Sequence, residues 1–150
     1  MIYSLDRRLF IPRPRHEVFA FFARAENLEQ ITPDFLRFHI LSPQPIPMRP
    51  GTLIDYQLRL HGIPLRWRTR IEAFQPDSFF IDSQLSGPYR SWIHRHDFLE
   101  VPGGTTMYDH VDYQLPFGPI GDLVRALFVR LSVERIFDYR NQTILKILSN

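Results

Sequence analysis

His94 and His96 lie two residues apart in the run Trp92-Ile93-His94-Arg95-His96-Asp97-Phe98. In an extended strand this spacing turns both imidazoles to one face. A second alternating run, Asp109-His110-Val111-Asp112-Tyr113, puts Asp109 and Tyr113 on one face as well. A two-residue turn at Gly103-Gly104 pairs Pro102 with Thr105. Phe98 then opposes Asp109, His96 opposes Val111, His94 opposes Tyr113 and Trp92 opposes Leu115. One face collects Trp92, His94, His96, Phe98, Asp109, Val111 and Tyr113. The other carries Arg95, Asp97, Tyr108, His110, Asp112 and Gln114 and is expected to be wet.

The inward polar group His94, His96, Asp109 and Tyr113 admits three kinds of chemistry. Polar groups set in an apolar wall orient a small ligand. A histidine, titrating near neutrality, can act as general acid or base in a cyclisation or dehydration. The same groups can also satisfy one another inside a core. Two histidines and a carboxylate are metal-ligand types, but two histidines on one strand fall short of a metal motif, and no metal is expected. No cofactor is expected either. The chain has no cysteine and lacks Gly-x-Ser-x-Gly, Gly-Lys-Ser/Thr and Gly-x-Gly-x-x-Gly.

These side chains need strands to hold them. From Gly51 a period of two persists for about 65 residues, broken by turn signals at His61-Gly62, Pro76-Asp77, Gly87-Pro88 and Gly103-Gly104. This is a five-strand antiparallel meander with one buried face. The His61-Gly62 turn pairs Ile54 with Thr69, Tyr56 with Trp67 and Leu58 with Leu65, all inward. It also pairs Asp55 with Arg68 and Gln57 with Arg66, outward. The strand at 79–86 stays ambiguous. The Pro76-Asp77 turn puts Phe80, Asp82 and Gln84 inside, whereas the Gly87-Pro88 turn puts Ile81, Ser83 and Leu85 inside. One connection therefore holds an extra residue or a bulge.

Before the meander, residues 2–11 read as a strand and Pro14 opens a helix over about 14–24. A short helix follows near Asn27–Ile31, then a strand at 37–42. After the meander the spacing becomes helical, with Ile120, Leu123, Val124, Leu127, Phe128 and Leu131 on a stripe continued by Phe137, Ile144 and Leu148. Without proline after Pro119 or glycine after Gly121, one helix can run over 119–148, about 45 Å. It is most easily buried across the sheet's inner face. Leu123 and Leu127 then belong to the wall of any cavity, and Pro116-Phe117-Gly118-Pro119 forms either a rigid corner that sets the helix angle or a cavity rim with Phe117 at its mouth.

The formal net charge is +2 with a pI of 9.2, and Lys146 is the one basic residue that is not arginine. The arginines are interleaved with acids, which reads as a solvated surface and not a nucleic-acid face. No stretch reaches the ~20 apolar residues of a membrane helix, and the N-terminus lacks a signal peptide's apolar stretch. A cytoplasmic location without stable membrane insertion is expected. At 150 residues, one domain spanning 1–150 is expected.

The order of elements resembles the START-like, Bet v 1-like (SRPBCC) superfamily, and within it the bacterial polyketide cyclase/dehydrase-like branch. The resemblance rests on Asn27-Leu28-Glu29 through Ile31-Thr32-Pro33, and on Gly51-Thr52 through Tyr56. It continues with Gly62-Ile63-Pro64-Leu65-Arg66-Trp67, and with Gly87-Pro88-Tyr89 leading into Trp92, His94, His96 and Phe98. It ends on Asp109-x-Val111-x-Tyr113-x-Leu115-Pro116-Phe117-Gly118. It implies an α+β helix-grip fold: a seven-stranded curved antiparallel sheet wrapped around a long C-terminal helix, with two short helices after the first strand. It also implies a cavity between sheet and helix, which different members use for lipids, hormones, quinones or polyketides.

Three functions follow as alternatives. One is a carrier of a small apolar or amphipathic ligand, contacted by Tyr56, Leu58, Trp67, Thr69, Trp92, His94, His96, Phe98, Asp109, Val111, Tyr113, Phe117, Leu123 and Leu127. The second is a cyclase or dehydratase using His94, His96, Asp109 and Tyr113. The third is a protein-interaction module. A homodimer remains open as a further partner.

Overall fold

A computed structural model describes residues 1–60 and 62–149. Strand β1 (Tyr3–Ile11) leads into α1 (Arg15–Phe22), α2 (Leu28–Ile31) and a two-residue β2 (His39–Ile40). Strands β3 (Leu53–Leu60), β4 (Ile63–Gln75), β5 (Phe79–Ser86), β6 (Ser91–Val101) and β7 (Gly104–Gln114) follow. The chain ends with α3 (Gly118–Val124), a π-helical turn (Arg125–Val129) and α4 (Arg130–Leu148). The seven strands form one antiparallel sheet in the order β1-β7-β6-β5-β4-β3-β2. With the long C-terminal helix against it, this is the helix-grip fold. The strand expected at 37–42 shrinks to His39 and Ile40, which pair with Gln57 and Tyr56.

The β3–β4 hairpin has the register its turn predicts, Tyr56 opposite Trp67 and Leu58 opposite Leu65; His61 lies outside the described residues. The β6–β7 hairpin is displaced by two residues from the expected pairing. Val101 pairs with Gly104, so the turn residues are Pro102 and Gly103. Proline presets the first turn position, and Gly103 at φ +85° supplies the left-handed second one, the pattern of a type II turn. Gly104 sits in the strand, where a Cβ would meet the Ile11 carbonyl oxygen at 2.3 Å, so no larger residue fits there. A two-residue shift keeps every side chain on its face but changes its neighbour. His96 now opposes Asp109, and His94 opposes Val111.

Strand β5 follows the facing set by the Pro76-Asp77 turn. Phe80 is buried, and Asp82 pairs with inward Ile71 and His94. Two irregularities absorb the mismatch: Glu72 is unopposed on β4, and Leu85 is unopposed on β5. Phe19, Phe22, Phe80 and Phe98 then interlock around Met107 and Ile144 at one end of the inner face. Each fully buried side chain of this kind contributes about 1.5–3 kcal/mol.

The C-terminal helix does not roll as its apolar stripe predicts. Its buried residues in α4 are Val133, Phe137, Arg140 and Ile144. In the N-terminal half the inward positions are Gly121, Arg125 and Val129, spaced by four. A π turn, with more residues per turn than an α-helix, keeps that spacing aligned with Val133. Ile120, Leu123, Leu127, Phe128 and Leu131 are therefore exposed, each by 56% or more.

Candidate functional site

A cavity of about 200 Å³ opens between the inner sheet face and α4. Its wall is apolar, built from Tyr56, Leu58 and Trp67 of the β3–β4 hairpin, Trp92 of β6, and Val133, Ile136 and Phe137 of α4. The α2 region closes the far side with Leu28, Ile31, Leu36 and Phe38. Trp67, Tyr89 and Trp92 pack edge-on and tilted at centroid distances of 4.9–5.6 Å. These spacings are favourable for aromatic pairs.

One polar cluster interrupts this wall. The imidazoles of His94 and His96 stack with ring centroids 3.6 Å apart. The His94 Nε2–H donates to Asp109 Oδ1 at 2.7 Å, and the His96 Nε2–H donates to Asp82 Oδ2 at 2.7 Å. His96 Nδ1 lies 3.3 Å from Asp109 Oδ1, near enough to pair but outside hydrogen-bond geometry. Arg140 enters from α4, its Nη2 3.6 Å from Asp109 Oδ1 and its guanidinium 5.5 Å from the rings of Phe22 and Phe137.

Burial and partners shift the two imidazoles in opposite directions. Burial dominates at His94 and, reinforced by the charge of His96, pushes its pKa down to about 4. Burial also acts on His96, but the carboxylates of Asp109 and Asp82 together outweigh it and raise its pKa. Asp109 is held well below the usual carboxylate range despite its burial, because Arg140, His94 and His96 all favour its ionised form. Asp82 is likewise lowered against burial by its bond to His96. Two carboxylates thus share one guanidinium and two imidazoles. Arg140 Nε and Nη2 have no hydrogen-bond partner, nor has Asp109 Oδ2. Buried donors of this kind are expected to find an acceptor.

Ligand atoms of Asp82, His94 and His96 lie within 4.8 Å of one another, a spacing a metal could bridge. In this arrangement both Nε2 atoms are turned onto carboxylates instead, with the Arg140 cation beside them.

The structure brings Tyr56, Leu58, Trp67, Thr69, Trp92, His94 and His96 into the cavity wall. Asp109 sits behind the histidines, buried and outside the wall. Phe98, Val111 and Tyr113 are buried in the core, and Tyr113 Oη accepts from Arg125 Nε at 3.1 Å. Three expected contacts are corrected. Phe117, Leu123 and Leu127 are 79%, 60% and 59% exposed and do not line the cavity, because the helix presents its other side to the sheet. Asp82 and Arg140 complete the cluster without having been singled out in the sequence. Asp82 was hidden by the ambiguous strand. Arg140 had a signal, a charge at the inward spacing between Phe137 and Ile144.

A family model described as polyketide cyclase / dehydrase and lipid transport matches residues 11–136. No curated protein matches the sequence. Among solved structures, the ZhuI aromatase/cyclase from Streptomyces sp. R1128 superposes with a TM-score of 0.78 at 14% identity, covering 99% of this chain and 94% of that one. CV1439 from Chromobacterium violaceum gives 0.74 at 9%, covering 98% and 97%. The ginseng major latex-like protein 151 from Panax ginseng gives 0.68 at 11%, covering 98% and 97%. At such identities these structures share the fold. The family match spans most of the chain, and its outline is the helix grip already described around the cavity. The chain therefore belongs to the polyketide cyclase/dehydrase and lipid transport family, within the SRPBCC superfamily.

Proposed function

We propose that the protein binds and carries a compact apolar molecule bearing one uncharged polar oxygen. The family binds small hydrophobic ligands, and the observation that carries this reading is the apolar cavity with the Arg140 side chain in its wall. The apolar body of such a ligand displaces water from Trp67, Trp92 and Leu58, while its oxygen accepts from the guanidinium. An uncharged acceptor suits the site better than a carboxylate, because Asp82 and Asp109 already place two carboxylates beside Arg140 and the histidines. A volume of about 200 Å³ is below the ~300–1,000 Å³ usual for drug-sized ligands, which favours a compact occupant. Native mass spectrometry of the purified protein, with solvent extraction, should find a neutral oxygen-bearing apolar species that Arg140→Leu loses. Absence of any bound species, together with no uptake across a panel of small aromatic ketones and alcohols, would overturn the reading.

A second reading, acid–base catalysis of a cyclisation or dehydration, is supported by His96. It lines the cavity, and two carboxylates favour its protonated form. An imidazolium there can polarise a ligand carbonyl or protonate a departing hydroxyl. Turnover of a β-hydroxyketone, lost in a folded His96→Gln variant, would establish it. Binding without conversion would leave carriage alone.

A further inference from the structure

The N-terminal half of the long helix is amphipathic in the wrong sense for a helix on a core. Its inward positions carry Gly121, Arg125 and Val129, whereas Phe117, Ile120, Leu123, Leu127, Phe128 and Leu131 point to solvent with exposures of 56–79%. The helix cannot roll to correct this. A Cβ at position 121 would meet the Pro116 carbonyl oxygen at 1.9 Å, so the backbone there is seated directly on the β7–α3 corner. The Arg125 guanidinium lies 3.7 Å over the Tyr3 ring, and its Nε bonds Tyr113 Oη. Asp122 binds the N-terminal ammonium at 3.3 Å. Phe117 itself holds a left-handed backbone, φ +72°, unusual for a bulky residue. Exposed apolar surface of this extent marks a contact with something outside the molecule.

We propose that this outer stripe docks the protein on the surface of an anionic lipid bilayer, with the cavity mouth facing the lipid. The register places the neighbouring features at the same end of the sheet. Gln114, at the end of β7, pairs with Ser91, and Ser86 pairs with Arg68, so the β7–α3 corner and the β5–β6 turn share an end with the β3–β4 hairpin tip. The tip adds Ile63, 62% exposed, and the chain start adds Ile2, 64% exposed. Cavity-wall residues at this end, Leu60, Trp67, Tyr89 and Trp92, keep partial exposure, so the apolar rim continues into the cavity.

Charge decides between lipid and a second copy. Among the described residues, the exposed Arg59, Arg90 and Arg135 make no ion pair, while the nearby acids Asp122 and Glu134 are engaged by the N-terminus and Arg130. Two copies facing each other would bring arginine against arginine, whereas anionic headgroups complement them. No helix of the described residues is long and apolar enough to cross a membrane, so the helix lies along the surface.

The test is co-sedimentation with phosphatidylcholine vesicles with and without phosphatidylserine, using the whole chain and a Leu127→Glu/Phe128→Glu variant whose circular dichroism and melting match the parent. The parent should bind the phosphatidylserine vesicles, more weakly at high salt, and the variant should lose at least about tenfold in partitioning. Failure of the parent to bind, or equal binding by the variant, overturns the proposal. So does a parent dimer in sedimentation velocity that the same variant dissociates, since a second copy then covers the stripe. The stripe lies outside the cavity, so none of these outcomes bears on ligand carriage.

Discussion

The imidazoles of His94 and His96 stack at 3.6 Å, yet their surroundings shift their pKa values in opposite directions. His94 sits against Phe137 with one carboxylate, whereas His96 has a carboxylate near each ring nitrogen. Two imidazolium ions at this distance would repel strongly in a buried site, so the pair takes one proton more readily than two.

Stability should therefore depend on pH from both sides. The folded pKa of His94, about 4, lies below its ordinary 6.5. Its neutral form favours folding fully above pH 6.5, and that contribution is lost as pH falls toward 4. Asp109 and Asp82 add a further loss below their ordinary value of 3.8. His96 is raised, so its contribution is complete below 6.5 and disappears as pH rises through its folded value. Melting temperature against pH should fall between 6.5 and 4 in the parent and flatten over that window in His94→Gln. An unchanged slope in the variant would show that His94 is not the titrating group.

Arg140 and Asp109 should be coupled in folding. Removing either leaves an opposite charge buried, and such deletions cost about 3–5 kcal/mol. Arg140→Leu and Asp109→Leu should each approach this in urea unfolding, with the double variant less destabilised than the sum. Strict additivity would mean that the two charges do not interact.

Gly121→Ala should cost about 1–3 kcal/mol, because its methyl group collides with the Pro116 carbonyl and must shift backbone. Tryptophan fluorescence during denaturation measures this. A neutral result would mean that the β7–α3 corner relaxes freely.

The exposed pair Asp55–Arg68, 2.8 Å apart on the outer sheet face, should behave differently. Its double-mutant coupling should be at most about 1 kcal/mol and shrink in salt. A larger, salt-insensitive coupling would contradict the exposure of both side chains.

Much of the inner face was legible from turn residues and alternation. Tyr56, Leu58, Trp67, Thr69, Trp92, His94 and His96 all face the cavity, since facing in a strand follows from the period of two and survives a two-residue error in register. That error did hide a contact, because the Pro102-Gly103 turn sets His96 opposite Asp109. The strand at 79–86 could not be oriented locally. Its two bulges, at Glu72 and Leu85, are set by how β4 and β6 pair on either side.

By itself the sequence determined the antiparallel meander, the one-sided sheet and the existence of a long terminal helix, all products of short-range periodicity and turn geometry. Tertiary structure decided the roll of that helix and the membership of the polar cluster. Hydrophobicity favoured burying Leu123 and Leu127, but Gly121 against Pro116 and Arg125 over Tyr3 fix the opposite side inward. Asp82 and Arg140 meet His96 and Asp109 only because β5, β6, β7 and α4 converge there. A local pattern cannot encode that convergence, since it arises from packing between elements far apart in the chain.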